Sequence, residues 1–474
     1  MDLIQQWCVE HAEKTALVTP TNSYTWQQLD EEISQLSLQL KAQGVSNGHI
    51  IAVISKNEPE AVFLYLAALR IGALCALMPP QPMVAIKQKL NIIQAKFVWL
   101  SKTIDSIDEN ELSLPSLLFT LGKLSSLAHS PIDTASRNTV QPYHFNSQQF
   151  ASIVFTSGST GTPKAVVHAV KHHIASAQGL TQEFLFEAHD SWLLSLPIYH
   201  VSGLSIIWRW LAKGAKLVIG SGNLQSDIQQ VTHASLVPVQ LQRLLDSGQP
   251  IPLKRVLLGG SHIPLSLTER ASKQGIECWL GYGMTETAST VIAKQVDANP
   301  TAGALLPFRK IKLQDGRIYV AGETLAAGYL YQGQLTLLVT DEQPWFDTKD
   351  LGRCYQQAGK PHEYIILGRA DNQFISGGEN IHCEEIEAVL VRHPDIKQAL
   401  IIPVEDKQYG HRPVAFIDTE TLQDPKVYQA YLLSHLDKFK CPDAYYLLPA
   451  HLMNSGIKIS RADLKKYYQQ VIAS

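Results

Sequence analysis

The segment best suited to chemistry is a nine-residue loop rich in hydroxyl groups, with two glycines and one lysine. It reads Thr156-Ser-Gly-Ser-Thr-Gly-Thr-Pro-Lys164 and follows Ala151-Ser-Ile-Val-Phe155, a β-branched and aromatic run that predicts a strand. A strand that leads into such a loop presents backbone N–H groups, hydroxyls and one ammonium to phosphate oxygens. The alternative is a flexible surface linker, but linkers rarely end in Pro-Lys after a strand. The loop therefore predicts phosphate binding.

This loop differs from the phosphate loop of kinases and ATPases. That pattern needs glycine before the lysine and Ser or Thr after it, whereas Pro163 and Ala165 flank Lys164 here. The loop instead resembles the phosphate loop of the adenylate-forming superfamily, which includes acyl-CoA synthetases, luciferases and peptide-synthetase adenylation domains. The resemblance implies ATP binding by Thr156, Ser157, Gly158, Ser159, Thr160, Gly161, Thr162 and Lys164.

A second motif, Cys278-Trp-Leu-Gly-Tyr-Gly-Met-Thr-Glu-Thr287, repeats the order of strand, glycines and hydroxyls and adds a carboxylate. It resembles the superfamily's adenine and magnesium motif. The resemblance implies that Gly281, Tyr282 and Gly283 pack on the base, that Thr285 faces the α-phosphate, and that Glu286 holds Mg²⁺. A carboxylate among phosphates needs a cation between them.

A third motif, Trp345-Phe-Asp-Thr-Lys-Asp-Leu-Gly352, resembles the segment that binds the ribose of ATP. The resemblance implies that Asp350 accepts both ribose hydroxyls. The family usually has glycine where this chain has Lys349, which leaves the conformation of the loop open.

The segment Leu367-Gly-Arg-Ala-Asp-Asn-Gln-Phe-Ile-Ser-Gly-Gly-Glu-Asn-Ile381 resembles the superfamily's hinge. By this resemblance Arg369 lies near the ribose and Asp371 is the pivot. Gly377 and Gly378 would border the channel for coenzyme A, where glycine lets the backbone approach a ligand closely.

The end of the chain reads Asn454-Ser-Gly-Ile-Lys-Ile-Ser-Arg461. The superfamily places a catalytic lysine in Gly-Lys-Ile-x-Arg, and here Ile457 separates the glycine from the lysine. The resemblance implies that Lys458 is catalytic; the alternative is an ordinary solvated surface lysine.

The acyl pocket is predicted around Trp192-Leu-Leu-Ser-Leu-Pro-Ile-Tyr-His-Val-Ser-Gly203, a buried strand followed by the start of a helix. This motif lines the carboxylate pocket in the superfamily, which gives His200 a catalytic or substrate-side role. The glycines after strand Arg255–Leu258 would also let backbone approach the ligand. The remaining substrate-binding candidates are Ser202, Gly259, Gly260 and Ser261.

Arg209 lies in a helix that is apolar almost all round and shares a face with serines at positions 202 and 205. An unpaired buried charge is costly, so this guanidinium needs an anion. Either a protein carboxylate or a ligand supplies it. Within the superfamily, the segment 196–211 most resembles ligases that activate an aromatic dicarboxylate.

Strand and helix signals alternate through the first hundred residues, which predicts an α/β fold with layered, mostly parallel sheets. A chain of 474 residues is expected to form two to four domains or subdomains. The resemblance implies a large N-terminal domain, residues 1–370, with the ATP and carboxylate site. It also implies a small mobile α+β domain, residues 371–474, that carries the adenylation lysine.

The composition limits the kinds of partner that the protein is expected to bind. The formal net charge is -3, so no feature indicates nucleic acid or an anionic membrane. The apolar run 61–78 contains Arg70 and predicts a buried helix and strand rather than a transmembrane segment. Six scattered cysteines and no signal peptide predict a cytoplasmic protein. His168 and His172 are spaced like a metal pair, but without a third ligand we interpret them as surface or helix-packing residues.

The resemblance implies two half-reactions, in which a carboxylate and Mg-ATP give an acyl-adenylate and coenzyme A then displaces AMP. An aryl- or acyl-CoA ligase of other specificity, a stand-alone enzyme that loads a carrier protein, and a non-catalytic binding protein are the alternatives. The sequence leaves homo-oligomer formation open.

Overall fold

The computed structural model describes residues 2–122, 146–156, 163–260, 263–357, 359–453 and 459–472, and of Asn380 only the backbone. Its helices are α1 Leu3–His11, α2 Trp26–Ala42, α3 Pro59–Arg70, α4 Met83–Ile93, α5 Val170–Glu183, α6 Val201–Lys213, α7 Leu224–Asp227, α8 Pro238–Asp246, α9 Leu265–Lys273, α10 Cys383–Leu390, α11 Pro425–Leu433, α12 Ala450–Met453 and α13 Arg461–Tyr467.

The strands are β1 Thr15–Val18, β2 Ser23–Thr25, β3 Ile50–Ile54, β4 Leu74–Met78, β5 Phe97–Leu100, β6 Phe150–Thr156, β7 Lys164–Ala169, β8 Ser191–Leu193, β9 Lys216–Val218, β10 His233–Leu236, β11 Arg255–Leu258, β12 Glu277–Met284, β13 Ser289–Gln295, β14 Ala304–Leu305, β15 Arg309–Gln314, β16 Arg317–Gly322, β17 Gly328–Tyr331, β18 Gln334–Leu337, β19 Phe346–Tyr355, β20 Glu363–Arg369, β21 Gln373–Ser376, β22 Glu379–His382, β23 Gln398–Asp406, β24 Gly410–Asp418 and β25 Ala444–Leu447.

The strands form three sheets. The large sheet has the order β15-β16-β19-β20-β14-β13-β12-β11-β10-β8-β9-β1-β2, and the small sheet β18-β17-β7-β6-β4-β3-β5. The C-terminal sheet has the order β22-β21-β24-β23, with β25 paired to β24. This confirms the α/β class with a large N-terminal part and a small C-terminal part.

The two N-terminal sheets are mixed and not mostly parallel as predicted. In the large sheet, the neighbouring strands β12, β11, β10, β8, β9 and β1 pair in parallel. In the small sheet, the neighbouring strands β6, β4, β3 and β5 also pair in parallel. Beyond them, β6–β7 and β12–β13 pair antiparallel and extend each sheet. Each change from parallel to antiparallel pairing occurs at a predicted ATP motif. There a short connection joins two strands that are neighbours in the sequence, which antiparallel pairing allows.

The main hydrophobic core lies where helices α2, α3, α5 and α6 pack between the large and small sheets. Helix α2 begins at a capping box, in which the Thr25 hydroxyl accepts a hydrogen bond from the Gln28 N–H. The run 61–78 is the buried helix α3 followed by β4. Among the described residues, no helix is both long and apolar enough to cross a bilayer.

A separate pair of hydrophobic clusters lies within residues 374–472 and is built on the C-terminal sheet. The 3-10 turn of residues 370–372 connects β20 of the large sheet to β21 of the C-terminal sheet. The domain boundary after residue 370 stays a prediction.

Candidate active site

The predicted adenine and ribose residues meet through side-chain hydrogen bonds. The Tyr282 hydroxyl donates to Asp350 Oδ2 at 2.6 Å, and Arg369 Nη1 lies 3.4 Å from Asp350 Oδ1. Arg369 also donates to the backbone carbonyl of Thr348 at 2.9 Å. The three residues come from β12, β19 and the end of β20, so the large sheet brings together motifs that are 68 and 19 residues apart in sequence.

Lys349 adopts the left-handed conformation, with φ of 64°. Its ammonium forms an ion pair with Asp347 Oδ2 at 2.7 Å, and its N–H donates to the same carboxylate at 3.0 Å. Glycine adopts a positive φ without strain, so this conformation suits the glycine of the family pattern better than a lysine. The local hydrogen bonds to Asp347 offset part of the strain in this chain.

Glu286 and Lys164, both predicted to act on phosphates, face the same tyrosine. The Tyr329 hydroxyl donates to Glu286 Oε1 at 2.9 Å, and Lys164 Nζ lies 5.0 Å from the centre of the Tyr329 ring. His168 Nε2 lies 2.7 Å from the carbonyl oxygen of Thr285 and fixes the turn that carries Glu286. Burial lowers the pKa of His168 to about 4, so the imidazole is neutral and Nε2–H donates this bond.

The chemistry of Glu286 fits a hard divalent cation. Its carboxylate is half-buried, and among the described residues no lysine or arginine lies within ion-pair distance of it. No cluster of three potential metal-ligating side chains occurs in the described ranges either. A single half-buried carboxylate such as Glu286 suits Mg²⁺, which binds through one or two carboxylates together with substrate phosphates and water.

Arg209 is 2% exposed and lies on α6 between three hydroxyl groups. Its Nη1 donates to Ser235 Oγ at 3.4 Å, and its Nη2 to Ser289 Oγ at 3.2 Å and Thr290 Oγ1 at 3.4 Å. The guanidinium also lies 5.2 Å from the centre of the Trp192 ring. We call Ser235, Ser289 and Thr290 the hydroxyl ring.

No carboxylate of the described residues forms an ion pair with Arg209, and its Nε–H has no acceptor. Burial and, secondarily, the like charge of Arg309 lower the pKa of Arg209 to about 9, which leaves it charged at neutral pH. The sequence left two possible partners for Arg209, a protein carboxylate or a ligand. In the part of the chain that the structure describes, no protein carboxylate takes this role. A buried cation in this state favours an incoming anion.

The start of α6 is held by a residue that sequence reasoning did not single out. Asn57 Nδ2 donates to the carbonyl oxygens of Leu194 and Leu196 at 3.0 and 2.7 Å, and Asn57 Oδ1 accepts from the Ile198 N–H at 2.9 Å. This connects the small sheet to the segment before His200. Burial, and then the charge of Lys89, lower the pKa of the His200 imidazole.

At the junction of the two domains, Arg369 forms two hydrogen bonds with the Asp371 carboxylate, at 2.9 and 2.8 Å. Gly377 and Gly378 form the turn between β21 and β22, and both have positive φ, 59° and 90°. The positive φ angles explain the two glycines at this turn, a reason different from the close approach to a ligand that the sequence suggested. Pivot and channel roles stay predictions.

The structure places the other predicted residues as follows. Thr156 ends β6, Ser202 lies in the first turn of α6, and Gly259 and Gly260 follow β11. Gly281 and Gly283 lie in β12, and a Cβ at Gly283 would overlap the Ser289 carbonyl. Residues outside the described ranges are Ser157, Gly158, Ser159, Thr160, Gly161, Thr162, Ser261 and Lys458, together with Ile457.

Sequence reasoning also missed Tyr329 and the hydroxyl ring. Tyr329 lies 43 residues after Glu286 in a strand without a phosphate-type motif, so no local signal marks it. Both histidines are buried and not on the surface: His172 lies in helix α5, as the helix-packing alternative predicted, whereas His168 lies in strand β7 and was misplaced.

Comparisons with known proteins agree with this arrangement. The model of the AMP-binding enzyme family matches residues 4–330, and that of the AMP-binding enzyme C-terminal domain matches residues 385–456. The chain is 38% identical over 468 residues to 2-succinylbenzoate–CoA ligase of Escherichia coli K12, with 98% of each chain covered.

It is also 38% identical over 465 residues to 2-succinylbenzoate–CoA ligase of Haemophilus influenzae, covering 96% of this chain and 95% of that protein. Among solved structures, a single-residue variant of Escherichia coli MenE with bound OSB-AMS matches with a TM-score of 0.86 and 36% identity, over 99% of this chain and 98% of that one.

Proposed function

Because this chain belongs to the AMP-binding enzyme family, we propose that it is an AMP-forming acid–thiol ligase that acts on 2-succinylbenzoate. It activates the acid with ATP and transfers the acyl group to coenzyme A, a step of menaquinone biosynthesis. ATP and coenzyme A are cytoplasmic metabolites, and we place the enzyme there.

The observation that carries the substrate assignment is the unpaired Arg209 within its hydroxyl ring. 2-Succinylbenzoate has two carboxylates, and the benzoate carboxylate stays free while the succinyl one reacts. The free carboxylate must leave water inside an apolar pocket, so it needs a fixed cation. A guanidinium meets a carboxylate with two parallel hydrogen bonds, which lysine cannot copy.

In this proposal the acyl pocket runs along α6, from His200 at its start to Arg209. Arg209 lies nine residues, about 13 Å, along the helix from His200. An acid held by Arg209 at one end therefore presents its other carboxylate near His200. In this arrangement Arg209 binds and orients the substrate, while the half-buried His200 borders the reacting group as a neutral imidazole.

For adenylation, the chain has to place the phosphates of ATP and neutralise charge, since attack at phosphorus depends on position and electrostatics more than on covalent help. Thr156, the loop 157–162, Lys164 and Thr285 hold the phosphates, and Tyr282, Asp350 and Arg369 hold the nucleoside. Glu286 would hold Mg²⁺, which supplies charge neutralisation on the phosphate oxygens when bound.

Lys458 would stabilise charge in adenylation from the C-terminal domain. The pivot at Asp371 would then withdraw it and place Gly377 and Gly378 beside the incoming thiol, a conformational step of the lid type.

The test is ATP–pyrophosphate exchange over a panel of carboxylic acids that includes 2-succinylbenzoate and an analogue without the benzoate carboxylate. The wild type should prefer the diacid. In Arg209→Ala the kcat/KM for the diacid should fall at least about a hundredfold, as expected when a buried carboxylate loses its partner. The preference over the analogue should shrink by a similar factor.

Arg209→Lys distinguishes the role of geometry from that of charge, because lysine keeps the positive charge but lacks the planar guanidinium. This variant should show only part of the wild-type preference for the diacid. A folded Arg209→Ala protein that keeps its full preference for the diacid would refute the assignment of this residue. Exchange with other acids but not with the diacid would instead indicate a different acyl- or aryl-CoA ligase. No exchange with any acid would favour a non-catalytic binding protein.

A further inference from the structure

A second buried cation, Lys89 on α4, has no role in the function proposed above. The residue is 9% exposed. Its Nζ donates to Gln81 Oε1 at 3.0 Å and lies 5.1 Å from the centre of the Phe155 ring. Both partners are neutral, and no carboxylate of the described residues forms an ion pair with it.

The position of this ammonium in the fold is informative. Helix α4 follows β4, and Lys89 reaches back toward the start of the helix, where Gln81 lies. Phe155 is the penultimate residue of β6, so the ammonium lies at the edge where the parallel strands β3, β4 and β6 end. Ligands of α/β sheets bind outside this carboxyl edge, at which Thr156 ends β6.

The surroundings of Lys89 also connect it to the acyl pocket, because its charge contributes to the lowered pKa of His200. Burial lowers the pKa of Lys89 itself to about 8, and the side chain is therefore mainly protonated at neutral pH. A purely structural lysine buries its stem and leaves its ammonium in water. Lys89 is instead only 9% exposed as a whole residue, and among the described residues its ammonium has the neutral partners Gln81 and Phe155 and no carboxylate.

We propose that Lys89 is an anion-binding residue that receives the pyrophosphate portion of ATP, and the free pyrophosphate after adenylation. This rests on the proposed adenylation activity but not on the identity of the acid. The phosphate oxygens supply the negative charge that the described protein residues around Lys89 do not, and a lysine ammonium is suited to phosphate as a point charge.

Lys87 provides a matched control on the same helix. It is half-exposed and forms an ion pair with Glu111 at 3.1 Å. Lys89→Met and Lys87→Met both remove one positive charge and keep a side chain of similar length, so a general electrostatic effect would appear in both. Lys89→Arg restores a cation at the buried position.

The experiment is titration calorimetry of each full-length variant with Mg-pyrophosphate, together with the KM for ATP in the exchange assay. In Lys89→Met the Kd for Mg-pyrophosphate and the KM for ATP should each rise at least about tenfold, the effect of losing one charge-assisted contact. Lys89→Arg should recover most of the affinity, and Lys87→Met should behave as the wild type. The reaction of preformed acyl-adenylate with coenzyme A should stay unchanged in Lys89→Met.

Unchanged pyrophosphate affinity in a folded Lys89→Met protein would overturn the inference. An equal loss in Lys87→Met would also overturn it, as would a rise confined to the KM of the carboxylic acid. These results differ from a failure of the proposed function, in which the wild type itself shows no exchange with any acid.

Discussion

Buried arginines are of two kinds in this protein. Arg70 forms ion pairs with Asp2 and Asp30, both at 2.7 Å, and Arg461 forms them with Glu384 and Glu387 at 2.9 and 2.6 Å. Both of these arginines therefore pair with carboxylates from other elements.

Arg209 and Arg309 are of the other kind. Arg309 donates to the carbonyls of Pro307 and Ser176 and to Ser176 Oγ, and neither arginine has a carboxylate partner among the described residues. The sequence predicted that Arg209 needs an anion, because a charge in an apolar helix is visible locally. It did not predict the neutral partners, which lie 26 to 81 residues away.

The buried histidines give a residue-scale prediction for stability against pH. The folded pKa of His168 is about 4, below the ordinary value of 6.5, because burial disfavours the charged form. The unfolded chain therefore binds a proton between pH 6.5 and 4 that the folded chain does not, and stability declines as pH falls through that window. Between pH 7 and 4.5 this residue alone should account for about 2 to 3 kcal/mol.

Urea unfolding at the two pH values checks this. His168→Gln can still donate to the Thr285 carbonyl, and its loss of stability on acidification should be smaller than that of the wild type by the stated amount. His189 is 75% exposed, so His189→Gln should lose as much stability as the wild type. Equal acid sensitivity in all three proteins would contradict the assignment.

At the scale of elements, the turn between β12 and β13 is strained. Ala288 and Ser289 have φ of 51° and 103°, backbone angles that residues other than glycine rarely adopt. The Ser176 hydroxyl donates to the Ala288 carbonyl at 2.6 Å, and the Thr287 hydroxyl to the Ser289 carbonyl at 2.9 Å. These bonds hold Ser289 Oγ toward Arg209, and strain of this kind collects at functional sites.

Two substitutions of Ser289 distinguish the effect of backbone strain from the effect of the hydroxyl group. Ser289→Gly and Ser289→Ala both remove the acceptor for Arg209, but only glycine relieves the backbone. The Gly variant should exceed the Ala variant in free energy of unfolding by about 1 kcal/mol or more. Both should lose a similar part of the preference for the diacid. Equal stability of the two variants, measured by urea unfolding, would show that the turn is not strained.

The strand before the phosphate loop and the buried helix and strand of residues 61–78 were predictable, because their signals are local. His168 was misplaced because β7 and α5 follow each other without a break, and a strand of six residues cannot be told from a helical turn by histidine spacing. The mixed pairing of the sheets was missed because the prediction was based on the alternation of strands and helices in the first hundred residues, whereas β6–β7 and β12–β13 are hairpins later in the chain.

At the scale of the whole molecule, the junction at residues 370–372 carries the prediction about domain motion. Asp371→Pro stiffens the backbone at the proposed pivot, whereas Asp371→Ala removes only the ion pair with Arg369. The Pro variant should keep pyrophosphate exchange and lose formation of the thioester, because it cannot complete the rearrangement. The Ala variant should retain both half-reactions within a few-fold, since a surface pair contributes little.

The two half-reactions are measured separately, by exchange and by conversion of preformed acyl-adenylate. Normal overall turnover in Asp371→Pro would refute the pivot. Equal loss in the Pro and Ala variants would assign the effect to the carboxylate and not to the backbone.

The hydroxyl ring around Arg209 has an evolutionary consequence. Its members are uncharged, and no carboxylate of the described residues forms an ion pair with Arg209, so the proposed charge preference of the pocket depends on that cation. A carboxylate introduced at Ser235 would pair with Arg209 and cancel the demand for a second acid group, while the phosphate and ribose residues stayed untouched. Descendants of such a chain could diverge toward aromatic monoacids by a change at a single position, with the adenylation machinery inherited intact.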